Sequence, residues 1–231
     1  MNAQKLSKRL ETVASFVPQN ALVADIGSDH AYLPCYLVLN SIAKGAVAGE
    51  VVKGPYESAR REVQQEGLQS KIQVRLADGL QAIEHGDHVT AITIAGMGGP
   101  LIASILEKDV ERLAGVKRLI LQPNIHAIAI REWAAKRDWK IIDEAILKED
   151  DKIYEVLVLE PGFETLSSEE LLLGPILMQQ QNTVFKEKWN HEMDQWQNVL
   201  KALEKAEQSI EIMEKKEELQ HRLNMVKEVL R

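Results

Sequence analysis

The chain has 231 residues, with 45 % hydrophobic and 27 % charged side chains, ordinary globular usage that excludes a disordered, collagen-like or disulfide-scaffold protein. Its 28 Lys/Arg against 35 Asp/Glu give a formal net charge of −7, so any nucleic acid must be held by a local basic face rather than by overall charge. Cys35 has no second cysteine to pair with, which suits a reducing cytoplasm. The first residues are not followed by a long apolar run, and no segment approaches the ~18 apolar residues of a membrane span, so a cytoplasmic protein with no membrane attachment is expected.

Short apolar runs alternate with longer mixed stretches over the first two-thirds. Strands are expected at Leu22–Ile26, Ala46–Ala48, Ile72–Leu76, Ala91–Ile94 and Leu119–Leu121, with helices over Pro55–Glu66, Leu101–Leu113 and Ile125–Arg137 between them. This pattern predicts parallel β-α-β units with helices on both faces of a sheet. Lys140–Leu147 and Ile153–Leu159 are separated by only Lys148–Lys152, too near for a helical crossover, and predict an antiparallel hairpin. Five parallel strands closed by a terminal hairpin describe a Rossmann-like sheet of the class I methyltransferase type, placed at residues 1–162.

Residues 163–231 differ in texture. Gly174 and Pro175 are the only Gly and Pro after Ser167, and the stretch beyond is rich in Gln, Glu and Lys. Trp189, Met193, Trp196, Leu200, Leu203 and Ile210 form one seam, and Leu219, Leu223, Val226 and Leu230 a second, out of phase with the first. A C-terminal α-helical coiled-coil hairpin with its turn between Leu203 and Leu219 is expected; one long helix with a stutter is the alternative. From Ser167 onward the net charge is 9 − 12 = −3, so this segment either carries one basic stripe or mediates self-association, which the sequence does not require.

Chemistry concentrates where strands end. Val23-Ala24-Asp25-Ile26-Gly27-Ser28-Asp29-His30-Ala31-Tyr32-Leu33-Pro34 turns the first strand into the first helix. Gly27 lets backbone approach a ligand, whereas Asp29 would repel a pyrophosphate and accept the ammonium and sulfonium of S-adenosylmethionine. Glu50, about 20 residues beyond Gly27, stands where a carboxylate accepts ribose hydroxyls. Asp78, before Gly79, is placed to accept from an adenine amino group. Each acid taken singly reads first as a solvated loop acid, since exposed acids are the rule; together with Asp25 and Gly27 they mark the carboxyl ends of adjacent strands, where ligands bind in open α/β sheets, and the combination favours a site.

Ala95-Gly96-Met97-Gly98-Gly99 is either a flexible loop before a helix or one wall of a cleft. In Gln122-Pro123-Asn124, Pro123 fixes the chain, and Asn124 either caps the next helix or presents its amide to a base. His30 and Tyr32 either pack at a helix start or stack on a base. Basic candidates for an RNA face are Lys5, Lys8 and Arg9, then Arg60 and Arg61, then Arg131, Lys136 and Arg137; each group taken alone reads by default as a solvated helix face.

The run Ala24–Pro34, with Gly49-Glu50-Val51, Gly54-Pro55-Tyr56, Ala77-Asp78-Gly79-Leu80, Ala95–Gly99 and Gln122-Pro123-Asn124, resembles the bacterial TrmK family of tRNA adenine-N1 methyltransferases acting at position 22. The resemblance covers the whole chain, including the helical tail. It implies S-adenosylmethionine as methyl donor, tRNA as partner, N1-methyladenosine as product and no metal. The site set is then Asp29 and Asn124 at the reaction centre. Asp25, Gly27, Glu50, Asp78, Gly79, Ala95 and Gly96 are assigned to the donor, and His30, Tyr32, Met97, Pro123 and Arg9 to the substrate. Methylation of a protein or small molecule, or a donor-binding scaffold, are the competing readings.

Overall fold

Seven strands form one sheet in the order β3-β2-β1-β4-β5-β7-β6 in a computed structural model that describes residues 1–205 and 209–231. The strands are β1 (Ala21–Ile26), β2 (Ala43–Glu50), β3 (Ile72–Leu76), β4 (Ala91–Gly98), β5 (Arg118–Ile125), β6 (Trp139–Glu149) and β7 (Lys152–Pro161). The helices among them are α1 (Lys8–Ser15), α2 (Tyr32–Leu39), α3 (Lys53–Gln65), α4 (Gly99–Lys108) and α5 (Ile128–Lys136). The first five strands pair in parallel, and β7 is antiparallel to both β5 and β6. This is the methyltransferase-type sheet expected from the strand pattern. The chain winds outward from β1 to β3, then returns to add β4 and β5 on the other side of β1. The resulting crevice at the carboxyl ends of β1 and β4 is the position where such sheets bind ligands.

The sheet interior follows from composition. Val23, Ala24, Ile92, Ile94 and Leu119 to Leu121 are all buried, as parallel strands covered on both faces require. The hairpin turn uses Asp150 (φ 47°) and Asp151 (φ 60°), the positive pair of a two-residue turn that matches strand twist.

Two strands run further than their apolar cores suggest. β4 continues through Gly98 because Gly96, at φ +81°, takes up a bulge, and pairing resumes at Met97 opposite Pro123. β5 continues through Pro123 because β7 pairs only with Leu119–Leu121, so the missing proline N–H interrupts no ladder on that side. The helix expected from Ile125 therefore starts at Ile128, and its N-cap is Ala127 rather than Asn124. Gly99 is fixed by space: a Cβ there would stand 2.0 Å from the His126 carbonyl oxygen.

The chain divides into two units, Met1–Thr165 and Leu166–Arg231, a boundary three residues beyond the expected one (165 against 162). Among the described residues the second unit holds four helices: α6 (Ser168–Leu173), α7 (Leu177–Gln180), α8 (Thr183–Glu204) and α9 (Ile210–Val229). Glu204 ends α8, and Ser209 caps α9 by accepting from the Ile212 N–H, so one continuous helix is excluded. Residues 206–208, within the span Leu203–Leu219 where the turn is expected, lie outside the described residues. Ile210, placed by spacing on the first seam, instead opens the second helix and is 76 % exposed. Among the described residues of this unit the buried apolar side chains are Phe185 and Trp189 on α8, Leu219, Leu223, Met225 and Val226 on α9, and Leu172, Leu173 and Leu177 on the short helices, with Gly174 and Pro175 buried between these. Leu200 and Leu203 are half-buried. The core of this unit is therefore completed by α6 and α7, which a two-helix seam does not foresee. Among the described residues no helix is long and apolar enough to cross a membrane.

Candidate active site

The turn after β1 is held in an unusual shape. Gly27, Asp29 and Ala31 all have positive φ (72°, 54° and 56°), a conformation that non-glycine residues adopt only when their surroundings compel it. Three neighbours supply that restraint. The Gly49 carbonyl accepts from the N–H groups of Gly27 and Ser28, at 2.9 and 3.1 Å. Glu50 Oε1 accepts from the Asp29 N–H at 2.6 Å, while its Oε2 accepts from the Val51 N–H at 3.1 Å. Asp25, buried beneath the turn, accepts from Ser28 Oγ and from Thr93 Oγ1 of β4, both at 2.6 Å. Burial drives the Asp25 carboxyl up to about 6, assisted by the charge of Glu50 and opposed by the two hydroxyl donors.

This turn forms one wall of a cavity of about 330 Å³, within the range of small-molecule sites, about 300–1,000 Å³. Ten of the expected site residues line it: Arg9, Asp25, Gly27, Asp29, His30, Tyr32, Glu50, Ala95, Gly96 and Met97. A Cβ on Gly27 would lie 2.1 Å from Met97 Cε, the far end of a side chain that can move aside, so it is the φ of +72° that calls for glycine. The rings of His30 and Tyr32 stack with centroids 5.2 Å apart and planes 8° from parallel. Tyr32 also packs on the core, so it serves the helix start and the cavity at once. The Asp29 side chain is 67 % exposed, and its Oδ1 lies 3.7 Å from His30 Nε2.

The other wall is built from β4, β5 and α1. Arg9 reaches in from α1, its guanidinium 5.4 Å from the Tyr154 ring centroid, with Nη1 donating to Gln122 Oε1 at 2.5 Å. The start of α1 is pinned to the hairpin by Glu149, whose carboxylate accepts from the Lys8 and Arg9 N–H groups at 2.6 and 3.2 Å, a favourable place for a negative charge. Asn124 is exposed and donates from Nδ2 to the Gly96 carbonyl at 2.8 Å, so it stands beside the cavity lining rather than in it. Pro123 is buried in β5 opposite Met97 and supports that wall from behind.

Asp78 and Gly79 lie apart from this lining. Gly79 (φ +56°) opens a short 3₁₀ turn after β3, and the Asp78 carboxylate accepts from Lys108 Nζ of α4 at 2.6 Å. Both partners are more than half exposed, so the pair is screened by solvent and readily exchanged.

The expected RNA face needs one correction. Arg131 is fully buried and pairs with Glu144 and Glu155, both at 2.7 Å, so it is a structural cation between α5 and the hairpin. Its place beside Ile130 and Ala134 on the buried stripe of α5 was the available signal. Arg137 pairs with Glu107. Lys5, Lys8, Arg60, Arg61 and Lys136 remain on the surface. Sequence reasoning also passed over Gln122 as a functional residue; an amide following Leu119-Ile120-Leu121 had to find buried partners. Among the described residues no cluster of His, Cys, Asp or Glu could hold a metal ion.

A family model described as "TrmK: tRNA (adenine(22)-N(1))-methyltransferase" matches residues 23–228. A tRNA (adenine(22)-N(1))-methyltransferase of Bacillus subtilis (strain 168) is 51 % identical, over 100 % of this chain and 99 % of its own. The crystal structure of the B. subtilis M1A22 tRNA methyltransferase TrmK superposes with a TM-score of 0.94 at 50 % identity, covering 99 % of this chain and 100 % of that one. A Streptococcus pneumoniae putative tRNA (m1A22) methyltransferase in complex with S-adenosyl-L-methionine superposes with a TM-score of 0.90 at 47 % identity, covering 98 % and 100 %. With a family model spanning nearly the whole sequence and relatives matched end to end, this chain belongs to the TrmK family of tRNA (adenine(22)-N(1))-methyltransferases.

Proposed function

We infer that this chain methylates N1 of adenine 22 in tRNA, with S-adenosylmethionine as donor and N1-methyladenosine as product. The observation that carries this reading is the end-to-end match to the B. subtilis enzyme. The cavity at the β1/β4 crevice, with its glycine floor at Gly27 and its buried carboxylate at Glu50, is a suitable receptacle for the donor. S-adenosylmethionine supplies an electrophilic methyl group carried on a positively charged sulfur. Gly27, Glu50, Ala95 and Gly96 would hold it, over the support of Asp25, while Asp78 and Gly79, outside that lining, would meet its adenine end only once Lys108 yields.

Adenine N1 carries an available lone pair, so no side chain has to remove a proton before the methyl group arrives. The work left to the protein is alignment. Asn124 keeps one amide proton and one carbonyl lone pair uncommitted to the described residues. Its carbonyl can accept from the adenine N6 amino group while leaving N1 free. The stacked His30 and Tyr32 rings offer a flat surface at the cleft. Asp29, exposed beside them, steadies the positive charge of the methylated base. Arg9 adds positive charge at the cavity rim, suited to an RNA phosphate. Because N1 lies on the pairing edge, the adenine must be unpaired or flipped to react. A tRNA substrate supports a cytoplasmic place of work.

The test is methyl transfer from labelled S-adenosylmethionine to unmodified tRNA, followed by nucleoside mass spectrometry. N1-methyladenosine should form on tRNA bearing A22 and not on the same tRNA with G22. Label in a protein or small molecule instead would refute the reading.

A further inference from the structure

We infer that Gln122 is a positioning residue that sets which way round the Asn124 amide is presented to the base. This rests on the role proposed for Asn124. Gln122 is fully buried, yet four groups converge on its side-chain amide. Oε1 accepts from Arg9 Nη1 at 2.5 Å and from the Gly96 N–H at 3.0 Å. Nε2 donates to the Pro123 carbonyl at 2.8 Å and to Asn124 Oδ1 at 3.3 Å. Asn124 Nδ2 then donates to the Gly96 carbonyl at 2.8 Å.

The orientation of both amides follows from partners that have no choice. A guanidinium and a backbone N–H can only donate, so the Gln122 oxygen must face Arg9 and Gly96. A carbonyl can only accept, so the Gln122 nitrogen must face Pro123. That nitrogen then requires the oxygen of Asn124, and the Gly96 carbonyl requires its nitrogen. The polarity of the exposed amide is thus set from two sides, by the buried Gln122 amide, itself fixed by Arg9 and the Gly96 N–H, and by the Gly96 carbonyl. An Asn124 turned the other way would offer its NH₂ where the adenine amino group needs an acceptor.

Gln122→Glu separates this role from simple packing. The carboxylate keeps both acceptor contacts and pairs directly with Arg9, but it turns an acceptor towards the Pro123 carbonyl and Asn124 Oδ1, so the Asn124 oxygen is repelled from its place and the Gly96 carbonyl alone no longer holds the amide in register. The experiment is a double-mutant cycle of Gln122→Glu and Asn124→Ala on the full chain, reading kcat on tRNA, S-adenosylmethionine affinity and thermal midpoint. Asn124→Ala should lower kcat at least tenfold. Gln122→Glu should lower kcat at least tenfold, leave donor affinity within twofold, and cause less than a twofold further loss of kcat in the Asn124→Ala background. Independent, multiplicative losses would overturn the positioning role while leaving that of Asn124 intact. A wild-type kcat in Asn124→Ala would instead overturn the role of Asn124, and the inference with it. Should Gln122→Glu fail to fold, Gln122→Met takes its place in the same cycle, with the same non-multiplicative result expected.

Discussion

The Glu50 carboxylate accepts a 2.6 Å hydrogen bond from the backbone N–H of Asp29, so the acid assigned to the donor also holds the turn that presents the acid assigned to the reaction centre. Glu50→Ala should therefore weaken S-adenosylmethionine binding by about 1–3 kcal/mol, since a buried carboxylate contact is lost and the partly buried Asp29 N–H gives up its acceptor as well. Glu50→Gln, which still offers one acceptor, should fall between. Titration calorimetry on the three proteins gives the comparison, and equal affinities would remove Glu50 from the donor site.

Asp29→Ala should behave differently. The backbone N–H contact to Glu50 survives the substitution, so donor affinity should stay within about threefold. The lost carboxylate should lower kcat about tenfold or more, because a charge contact that strengthens towards the transition state acts on turnover rather than on binding. Single-turnover methylation at saturating tRNA measures this, and a change in tRNA affinity alone would contradict it.

Asp25 carries a pH signature. Its carboxyl sits at about 6 in the folded protein against 3.8 ordinarily, so the folded state binds a proton more tightly than the unfolded state. Its contribution to stability is then largest below about pH 4 and is lost as pH rises through about 6, by up to about 3 kcal/mol. Asp25→Asn should flatten the stability difference between pH 4 and pH 7. Urea unfolding at both values, compared between wild type and variant, decides it; parallel pH dependences would show that Asp25 does not titrate in this window.

Arg131 should matter for folding and not for RNA. Arg131→Met leaves Glu144 and Glu155 buried without their shared cation and should destabilise the fold by about 3–5 kcal/mol. Adding Glu144→Gln and Glu155→Gln should recover part of that loss. Well below its unfolding transition, Arg131→Met should bind tRNA as wild type does; a salt-dependent loss of tRNA affinity would return Arg131 to the RNA face.

Gly27→Ala tests the cavity floor. The substitution forces a side chain into positive φ, at roughly 1–2 kcal/mol, and against Met97 Cε. Donor binding should weaken, and Met97→Ala in the same chain should relieve the steric part and leave the backbone part. Full rescue by Met97→Ala would show that φ at Gly27 is unconstrained.

Apolar runs of strand length, punctuated by Gly27, Gly79 and Pro123, were enough to read the parallel sheet and its closing hairpin, because burial on two faces leaves a local mark in composition. The same logic placed Gly27, Glu50 and Asn124 at strand ends, and the motif set carried the family. What tertiary structure alone decided is which polar groups meet. Arg131 and Arg9 are alike in sequence, yet one is buried between Glu144 and Glu155 and the other reaches Gln122 from a helix 113 residues away. Asp78 looked equivalent to Glu50, but Lys108 engages it at the surface, while Glu50 is buried against backbone donors. The helical tail shows the same limit: heptad spacing identified Trp189, Leu219, Leu223 and Val226, but α6 and α7 complete their core. Periodicity reports which face of an element is buried; the partner buried against it depends on contacts between residues far apart in the chain, and those exist only once the chain has folded.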